Sequence, residues 1–497
     1  MEWIVEYRKS IMANPKSSPT NHQLAISSIG LGKLGLCSAA CFAGKGHRVI
    51  GVDSNGSHVE ALNTGSCPID EPGLTELLDK CRRNMEFTTD YGHAVRNSDI
   101  TMITVPTPSN PDGRFSNASV EAVLERISPF LRVKNSFHVV GVVSTVMPGT
   151  CERVFVPLLE SLTGKKCGRD FGFLYNPEFV ALGSVIHDFL HPDLLLIGAS
   201  DDRSAQMARD LYRYVIESDP YYAVMNLTNA EITKLSLNCY VTMKISFANE
   251  LAAICERIPG ADVDVVTTAI GADARVGRKY LKGGLGFGGP CFPRDNLAFQ
   301  RCAEDAGTWA HLSPRVVEVN REIVDRLLAM IQEHALPGST VALLGLSYKP
   351  GTPIVEESQP VMLARRLLDA GYVVRMHDPK ALVNASEALK RRGICCECPY
   401  DAVANASVVV MLTPWPQYSQ LDIARLEDRA GPLPLLIDCW RIYRDVSFRK
   451  FEYRAFGTAA PISGRIMYDL GAGISHQDGR RRTPILGRPA VQHPALT

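Results

Sequence analysis

Cys291 stands in Gly286-Phe287-Gly288-Gly289-Pro290-Cys291-Phe292-Pro293-Arg294-Asp295. Glycine density of this kind costs backbone entropy and makes sense where the chain must approach a ligand closely. A thiol there, with a carboxylate four residues on, suggests covalent nucleophilic chemistry; the same residues also suit a small side chain in a tight turn. Lys234 and Asn238 are spaced i, i+4 in a helical stretch, so both project from one face. A cation and an amide on one face can stabilise an alkoxide or tetrahedral oxyanion, although a solvated lysine above a packing asparagine has the same spacing. Ser144-Thr145 and Asn176-Pro177-Glu178-Phe179 follow strand candidates. They therefore fall where open α/β sheets bind ligands, at the carboxyl ends of strands.

A second constellation reads nucleotides. Gly30-Leu31-Gly32-Lys33-Leu34-Gly35 is a GxGxxG between a strand and a helix. Gly30 permits the tight turn, Gly32 lets the backbone approach a pyrophosphate, and Gly35 lets helix and strand pack closely. The helix N-terminus offers free N–H groups to the phosphates. Asp53 ends the next strand, 23 residues after Gly30. A carboxylate there accepts from ribose hydroxyls and repels a 2′-phosphate, which favours NAD over NADP.

These residues need an α/β scaffold. Strands are predicted at 24–29, 47–53, 85–88, 100–105 and 137–144, with 171–176 and 194–198 closing the first unit, and helices between them. Such alternation gives a mainly parallel sheet covered on both faces. Residues 228–257 have helical periodicity with no Pro or Gly, which predicts a helix bridging two domains. From Thr340 the opening pattern repeats: an apolar strand, a loop with Lys349-Pro350-Gly351, a helix from Pro360, and a strand ending at Asp378. The fold expected is α/β, with two doubly wound units joined by a long central helix and a helical core. The expected boundaries are a flexible extension over 1–22, a dinucleotide unit over 23–225, a central helical unit over 226–336, a second α/β unit over 337–456 and a mobile tail over 457–497.

Composition excludes several classes. Lys plus Arg equal Asp plus Glu at 53 each, so nothing favours a nucleic-acid binder. No apolar run reaches the roughly 18 residues of a membrane span, and the N-terminus lacks a secretory apolar core. The expectation is a cytoplasmic protein whose 14 cysteines are mostly reduced, buried hydrophobes. Cys395, Cys396 and Cys398 have no second pair at zinc-site spacing, so no metal is expected.

Taken together, the motifs resemble the UDP-glucose/GDP-mannose dehydrogenase family over about residues 24–455. They are GLGKLG at 30–35, Ser144-Thr145-Val146, Asn176-Pro177-Glu178-Phe179, Lys234-xxx-Asn238, Lys244 to Glu250, GFGGPCFPRD at 286–295 and Leu346 to Thr352. Asp188-Phe189 and Pro192-Asp193 bring the resemblance nearest the UDP-glucose 6-dehydrogenase branch. It implies two Rossmann-like domains about a helical core, and oxidation of a sugar C6 alcohol to a carboxylate by two NAD⁺ in turn. It implies Cys291 as nucleophile in a thiohemiacetal and then a thioester. Lys234 and Asn238 become the oxyanion pair, Asp295 the carboxylate that activates or positions water, and Thr145 and Glu178 the residues that hold that water and the substrate. The cofactor set is Gly30, Gly32, Leu34, Gly35, Asp53, Pro106, Thr107 and Thr145. The substrate set is Phe179, Lys234, Asn238, Arg275, Tyr280, Lys282, Gly288, Lys349 and Arg441, with Arg275 reaching across a subunit interface of a homodimer or larger assembly. A cation such as Lys234 is expected to lower the Cys291 pKa.

Four positions depart from the family pattern: Leu182 where a glutamate is usual, Arg294 for lysine, Glu356 for arginine, and Trp440 for an arginine, with Arg441 next. They lie on the nucleotide-sugar side, so another nucleotide hexose (UDP-N-acetylhexosamine or GDP-mannose type) and a catalytically silent relative remain alternatives. A two-electron β-hydroxyacid dehydrogenase shares the Lys-xxx-Asn motif but lacks the motif cysteine and the third domain.

Overall fold

A computed structural model describes residues 23–459. The expectations for 1–22 and, beyond residue 459, for the tail lie outside the described residues. The first sheet has eight strands: β1 (Ala25–Ile29), β2 (Arg48–Val52), β3 (Met85–Thr88), β4 (Ile100–Ile103), β5 (Val139–Val142), β6 (Gly172–Tyr175), β7 (Leu194–Ala199) and β8 (Tyr221–Met225), in the order β3-β2-β1-β4-β5-β6-β7-β8. Its central strands are buried on both faces, which is why they read as largely apolar runs, interrupted at Ser27, Ser28 and Thr101. The one antiparallel pair is β6 with β7. Between them lies only a six-residue helix, Val185–Leu190, rather than a full crossover. The expectation that 194–198 closes this sheet is corrected: β8 follows and pairs parallel with β7. Tyr221 is exposed and Tyr222, Val224 and Met225 only partly buried, so this edge strand carries a weak apolar signal.

The second sheet is all parallel. Its strands are β9 (Thr340–Leu344), β10 (Val373–His377), β11 (Ile394–Cys395), β12 (Val408–Met411), β13 (Leu435–Asp438) and β14 (Glu452–Ala455), in the order β11-β10-β9-β12-β13-β14. The short edge strands β11 and β14 were not expected from the sequence, since neither has a buried run.

Five helices matter for the site: α1 (Lys33–Gly44), α2 (Leu227–Cys255), α3 (Phe292–Asp305), α4 (Leu312–His334) and α5 (Gln359–Asp369). α2 has 29 residues and is capped by Asn226, whose side chain accepts from the Asn229 N–H. At 1.5 Å per residue it runs about 43 Å. It packs on α3 and α4 and against β7, joining the first sheet to the helical core. Its buried side carries a polar row, Glu231, Lys234, Asn238, Thr242, Ser246 and Asn249, spaced three or four apart, beside apolar Leu227, Ala230, Leu235, Ala248, Ala252 and Cys255. Its exposed face carries Ile232, Tyr240, Phe247 and Ile254. A buried polar row with large apolar residues exposed departs from an ordinary surface helix. Among the described residues no helix is long and apolar enough to cross a membrane.

Candidate active site

The polar stripe of α2 acts as a ruler on which the site is assembled. Glu231, fully buried, accepts from the backbone N–H groups of Gly149 and Cys151 in the turn that follows Thr145. One turn on, the Lys234 ammonium donates to the Glu178 carbonyl and lies 4.4 Å from the Phe179 ring centre. The Asn238 amide donates to Asp295 Oδ2 at 2.6 Å. Lower still, Thr242 accepts from Asn296, Ser246 donates to the Val316 carbonyl, and Asn249 accepts from the Gly284 N–H. Lys234 and Asn238 are both buried, Lys234 held at the Glu178-Phe179 turn and Asn238 on Asp295 of the cysteine motif.

Cys291 is the residue preceding α3, with Asp295 in its first turn. Arg294 bridges to Asp295 at 3.3 Å and to the Thr107 carbonyl at 3.2 Å, while the Thr107 hydroxyl donates to the Thr145 carbonyl at 2.7 Å. Cys291, Asp295, Arg294, Thr107 and Thr145 thus form one connected chain. The glycines before Cys291 are needed for close approach. A Cβ on Gly288 would sit 2.3 Å from the Glu357 carbonyl oxygen, and Gly289 has φ +79° against the Tyr348 ring.

The electrostatics are mixed. The Cys291 thiol remains accessible to solvent, yet the protein packed around it and the Asp295 carboxylate push its pKa up, while Arg294 and Lys234 pull it down. Lys234 pulls in the expected direction, but burial and Asp295 outweigh it and the net direction is upward. Burial lowers the Lys234 pKa, with Asp295, Cys291 and Glu178 opposing. Burial also pushes the Glu178 carboxyl up to about 8, against the pull of Lys234.

The nucleotide turn fits a dinucleotide. Gly30 has φ +93°, and a Cβ there would meet the Thr104 carbonyl at 2.4 Å. A Cβ on Gly35 would be 1.9 Å from the Gly30 carbonyl, whereas around Gly32 there is open space at the N-terminus of α1. The cradle is therefore closed by packing on the protein side and open on the ligand side. Asp53 accepts from the Leu31 and Asn55 N–H groups, each at 2.9 Å, which orients it and leaves lone pairs for a ribose. Leu34, partly buried, lies within this turn, and Pro106, exposed, lies in the loop after β4.

The substrate set divides. Lys349 is half-buried with its pKa lowered by burial, and no carboxylate among the described residues pairs with it. Tyr280, at φ +61°, is exposed with its ring centre 6.5 Å from that of Phe292. Lys282 is exposed. Arg275 faces solvent and pairs with Asp273 at 2.7 Å, away from the cysteine's partners. Arg441 requires a correction. Its guanidinium is wholly buried, forms a bidentate pair with Asp264 at 2.8 Å, and donates to the carbonyls of Gly283 and Phe456. Its donors are engaged inside the protein, so it pins the loop before the cysteine motif rather than meeting a phosphate. Trp440, partly buried, packs close against Gly284 and donates its indole N–H to the Leu412 carbonyl.

Residues 24–216 match the NAD binding domain of the UDP-glucose/GDP-mannose dehydrogenase family, residues 228–322 its central domain, and residues 342–445 its UDP binding domain. The chain belongs to the UDP-glucose/GDP-mannose dehydrogenase family. Membership makes NAD the cofactor of the first sheet and removes the two-domain β-hydroxyacid alternative, which has no UDP binding domain. The chain is 36% identical to UDP-glucose 6-dehydrogenase AglM of Haloferax volcanii, covering 80% of this chain and 93% of that one. It is 35% identical to UDP-glucose 6-dehydrogenase TuaD of Bacillus subtilis, covering 88% and 93%. Among solved structures, a UDP-glucose dehydrogenase from Pyrobaculum islandicum superposes with a TM-score of 0.81 at 36% identity, covering 90% of this chain and all of that one.

Sequence reading missed what holds the cysteine loop of this dehydrogenase. Asn320 of α4 accepts from the Phe287 N–H and donates to the Phe287 carbonyl. Gln359, first residue of α5, accepts from the Gly286 N–H and donates to the Asn320 carbonyl. These amides lie far along the chain from the loop, and no local pattern distinguishes them from other polar residues. Their only trace is an Asn and a Gln at helical positions that prove to be buried.

Proposed function

We propose that this protein is an NAD-dependent UDP-glucose 6-dehydrogenase, oxidising the C6 alcohol of UDP-glucose to the carboxylate of UDP-glucuronate. The convergence of Cys291, Lys234, Asn238 and Asp295 carries the reading, because a nucleophile beside an oxyanion pair serves an oxidation that passes beyond the aldehyde. Similarity to the named UDP-glucose enzymes supports the substrate.

From alcohol to carboxylate, with one water added, the substrate gives up two hydrides and three protons. NAD⁺ held at Gly30, Gly32 and Gly35, with Asp53 on its ribose, supplies the hydride acceptor. The chain's own residues do the rest. At the aldehyde level the Cys291 thiol releases its proton to water as its sulfur bonds to C6 and the C6–O π pair moves onto oxygen, and the new oxyanion meets the Lys234 ammonium and the Asn238 amide N–H not given to Asp295. At the acyl level C6 is a thioester of Cys291. Water positioned by Asp295 and Thr145 attacks C6, and the thiolate leaves. Glu178, protonated at neutral pH, donates toward that water or the sugar, and Phe179 keeps Lys234 in place. Lys349, Lys282 and Tyr280 with the Gly288 backbone take the diphosphate and sugar, and Arg275 serves a partner subunit.

The working division of the chain is 23–225 for dinucleotide, 226–336 for the helical core and 337–456 for the nucleotide sugar. The apolar face of α2 calls for a homo-oligomer, and Phe247→Asp is expected to sediment as a monomer where the parent does not. A reducing, cytoplasmic setting suits a chain whose described cysteines are all free. The test counts NADH formed per sugar consumed across UDP-glucose, UDP-N-acetylhexosamines and GDP-mannose. Two per UDP-glucose, with Cys291→Ser failing to complete turnover, is the expected result. One per sugar, or preference for another hexose, overturns the reading.

A further inference from the structure

Glu71 lies outside the catalytic constellation, yet its side chain is only 1% exposed. One carboxylate oxygen accepts from the Val185 N–H at 2.9 Å and the other from the Gly183 N–H at 3.1 Å. Its nearest cation is Lys33, at 3.6 Å. Those partners belong to two different ligand regions. Lys33 is the first residue of α1, at the N-terminus that faces the dinucleotide's pyrophosphate. Gly183 lies at the end of the loop that starts with Glu178 and Phe179 and carries the sugar-facing groups, and Val185 begins the helix that follows it. That loop touches the third unit: a Cβ on Gly183 would lie 3.3 Å from the Gly351 carbonyl, two residues past Lys349. The neighbouring Asp70 reaches Lys380, also in the third unit, at 3.4 Å.

We propose that Glu71 is a positioning residue that couples dinucleotide binding to nucleotide-sugar binding, an inference that rests on the function proposed above. A buried carboxylate shared by one ammonium and two backbone N–H groups distributes its charge among them. A pyrophosphate arriving at α1 draws the Lys33 ammonium toward itself. Glu71 then holds the Gly183 and Val185 N–H groups more strongly, because charge-assisted hydrogen bonds strengthen as the competing cation withdraws. The loop carrying Glu178 and Phe179 is thereby fixed in the arrangement the sugar needs, so the second ligand binds a site already ordered. Linkage makes the effect reciprocal.

NADH and UDP-glucose form a complex that cannot turn over, so both affinities can be measured by calorimetry on the intact protein. In the parent, saturating NADH is expected to tighten UDP-glucose binding about fivefold, within the usual range of coupling between sites. Glu71→Gln, which places an amide NH₂ against a backbone donor and removes the ion pair, is expected to bring that ratio to within about twofold of unity. Lys33→Met leaves the two N–H contacts in place and removes only the competing cation, so it should abolish coupling even if Glu71→Gln fails to fold. Asp70→Asn, which breaks only an exposed pair, should keep it. A merely structural role for Glu71 would lower thermal stability or both affinities together and leave the ratio alone. A ratio of one in the parent, or an unchanged ratio in Lys33→Met, overturns the coupling. No binding of UDP-glucose by the parent, with or without NADH, would overturn the proposed substrate and the coupling with it.

Discussion

The two Rossmann-like units build the same turn and use it differently. Gly30 donates to the Val52 carbonyl at 2.8 Å, and Gly345 to the His377 carbonyl at 2.9 Å. Their φ values are +93° and +97°. The next N–H reaches the acid at the end of the neighbouring strand in both: Leu31 to Asp53 at 2.9 Å, Leu346 to Asp378 at 2.7 Å. Two residues after the acid, a backbone N–H returns to it in both, from Asn55 and from Lys380. Beyond this the units part. In the first, Gly32 faces open space and α1 begins at Lys33. In the second, the place of Gly32 is taken by Ser347, fully buried, and α5 begins only at Gln359. Asp378 also receives donors from the Ser347 N–H and hydroxyl, Ala381 and the Trp415 indole. One acid is left with capacity for a ligand; the other is consumed by the fold. Strand order and turn geometry are thus fold properties, and a nucleotide site requires the empty space in addition.

The largest effect should come from closing the first turn. Gly35→Ala puts a Cβ 1.9 Å from the Gly30 carbonyl, so α1 must move off the strand and lose its phosphate-binding alignment. Turnover should fall at least about 100-fold, as misplacement of this order does elsewhere, with the NAD⁺ KM raised; unchanged steady-state kinetics would contradict the packing argument. The acids should separate next. Asp378→Asn turns one oxygen into a donor among donors and should lower unfolding stability by about 3 kcal/mol or more, measured by denaturant titration. Asp53→Asn should leave stability nearly intact, raise the NAD⁺ KM and improve relative use of NADP⁺. Equal stability losses in the two variants would erase the distinction.

The sequence displayed the turn chemistry well because it is local. Glycines at fixed offsets, an acid at a strand end and a cysteine among glycines are visible without a fold. It displayed α2 as a helix, but not that a polar row lies on its buried side; single-sequence periodicity cannot say which face is inside. It also mistook Arg441 for a ligand cation. Only the fold shows Asp264, 177 residues away, already paired with it. Edge strands such as β8 and β14 were missed because half-exposed residues leave no clear apolar period.

A third contrast concerns acid. In the first sheet His138 is fully buried, takes part in a network with Thr101 and Ser98, and burial lowers its pKa to about 3. In the second, His377 is also lowered by burial, but retains the attraction of Asp378 and Glu397. Between pH 6.5 and 3 the unfolded His138 binds a proton and the folded one does not, so stability is complete above about pH 6.5 and falls as pH drops. His138→Gln should flatten that fall by a few kcal/mol across the window, read from denaturant midpoints at stepped pH. His377→Gln should flatten it less. A parent whose midpoint is level from pH 7 to 4 would remove His138 as the acid-sensitive group.

The smallest effect should follow from making the second turn look like the first. Ser347→Gly gives the second turn the same Gly-Leu-Gly sequence as the first and deletes one hydroxyl 3.3 Å from Asp378. The lost contact and added chain entropy should cost about 1–2 kcal/mol of stability. Dinucleotide binding should not appear. The Asp378 carboxylate remains engaged by backbone and indole donors, buried Trp415 still fills the place beside it, and no helix N-terminus follows within reach. Calorimetry of the variant should therefore still count one NADH site per chain. A second site in Ser347→Gly would show that glycine spacing alone makes a dinucleotide cradle, whereas one site assigns the difference between the two units to what surrounds the turn.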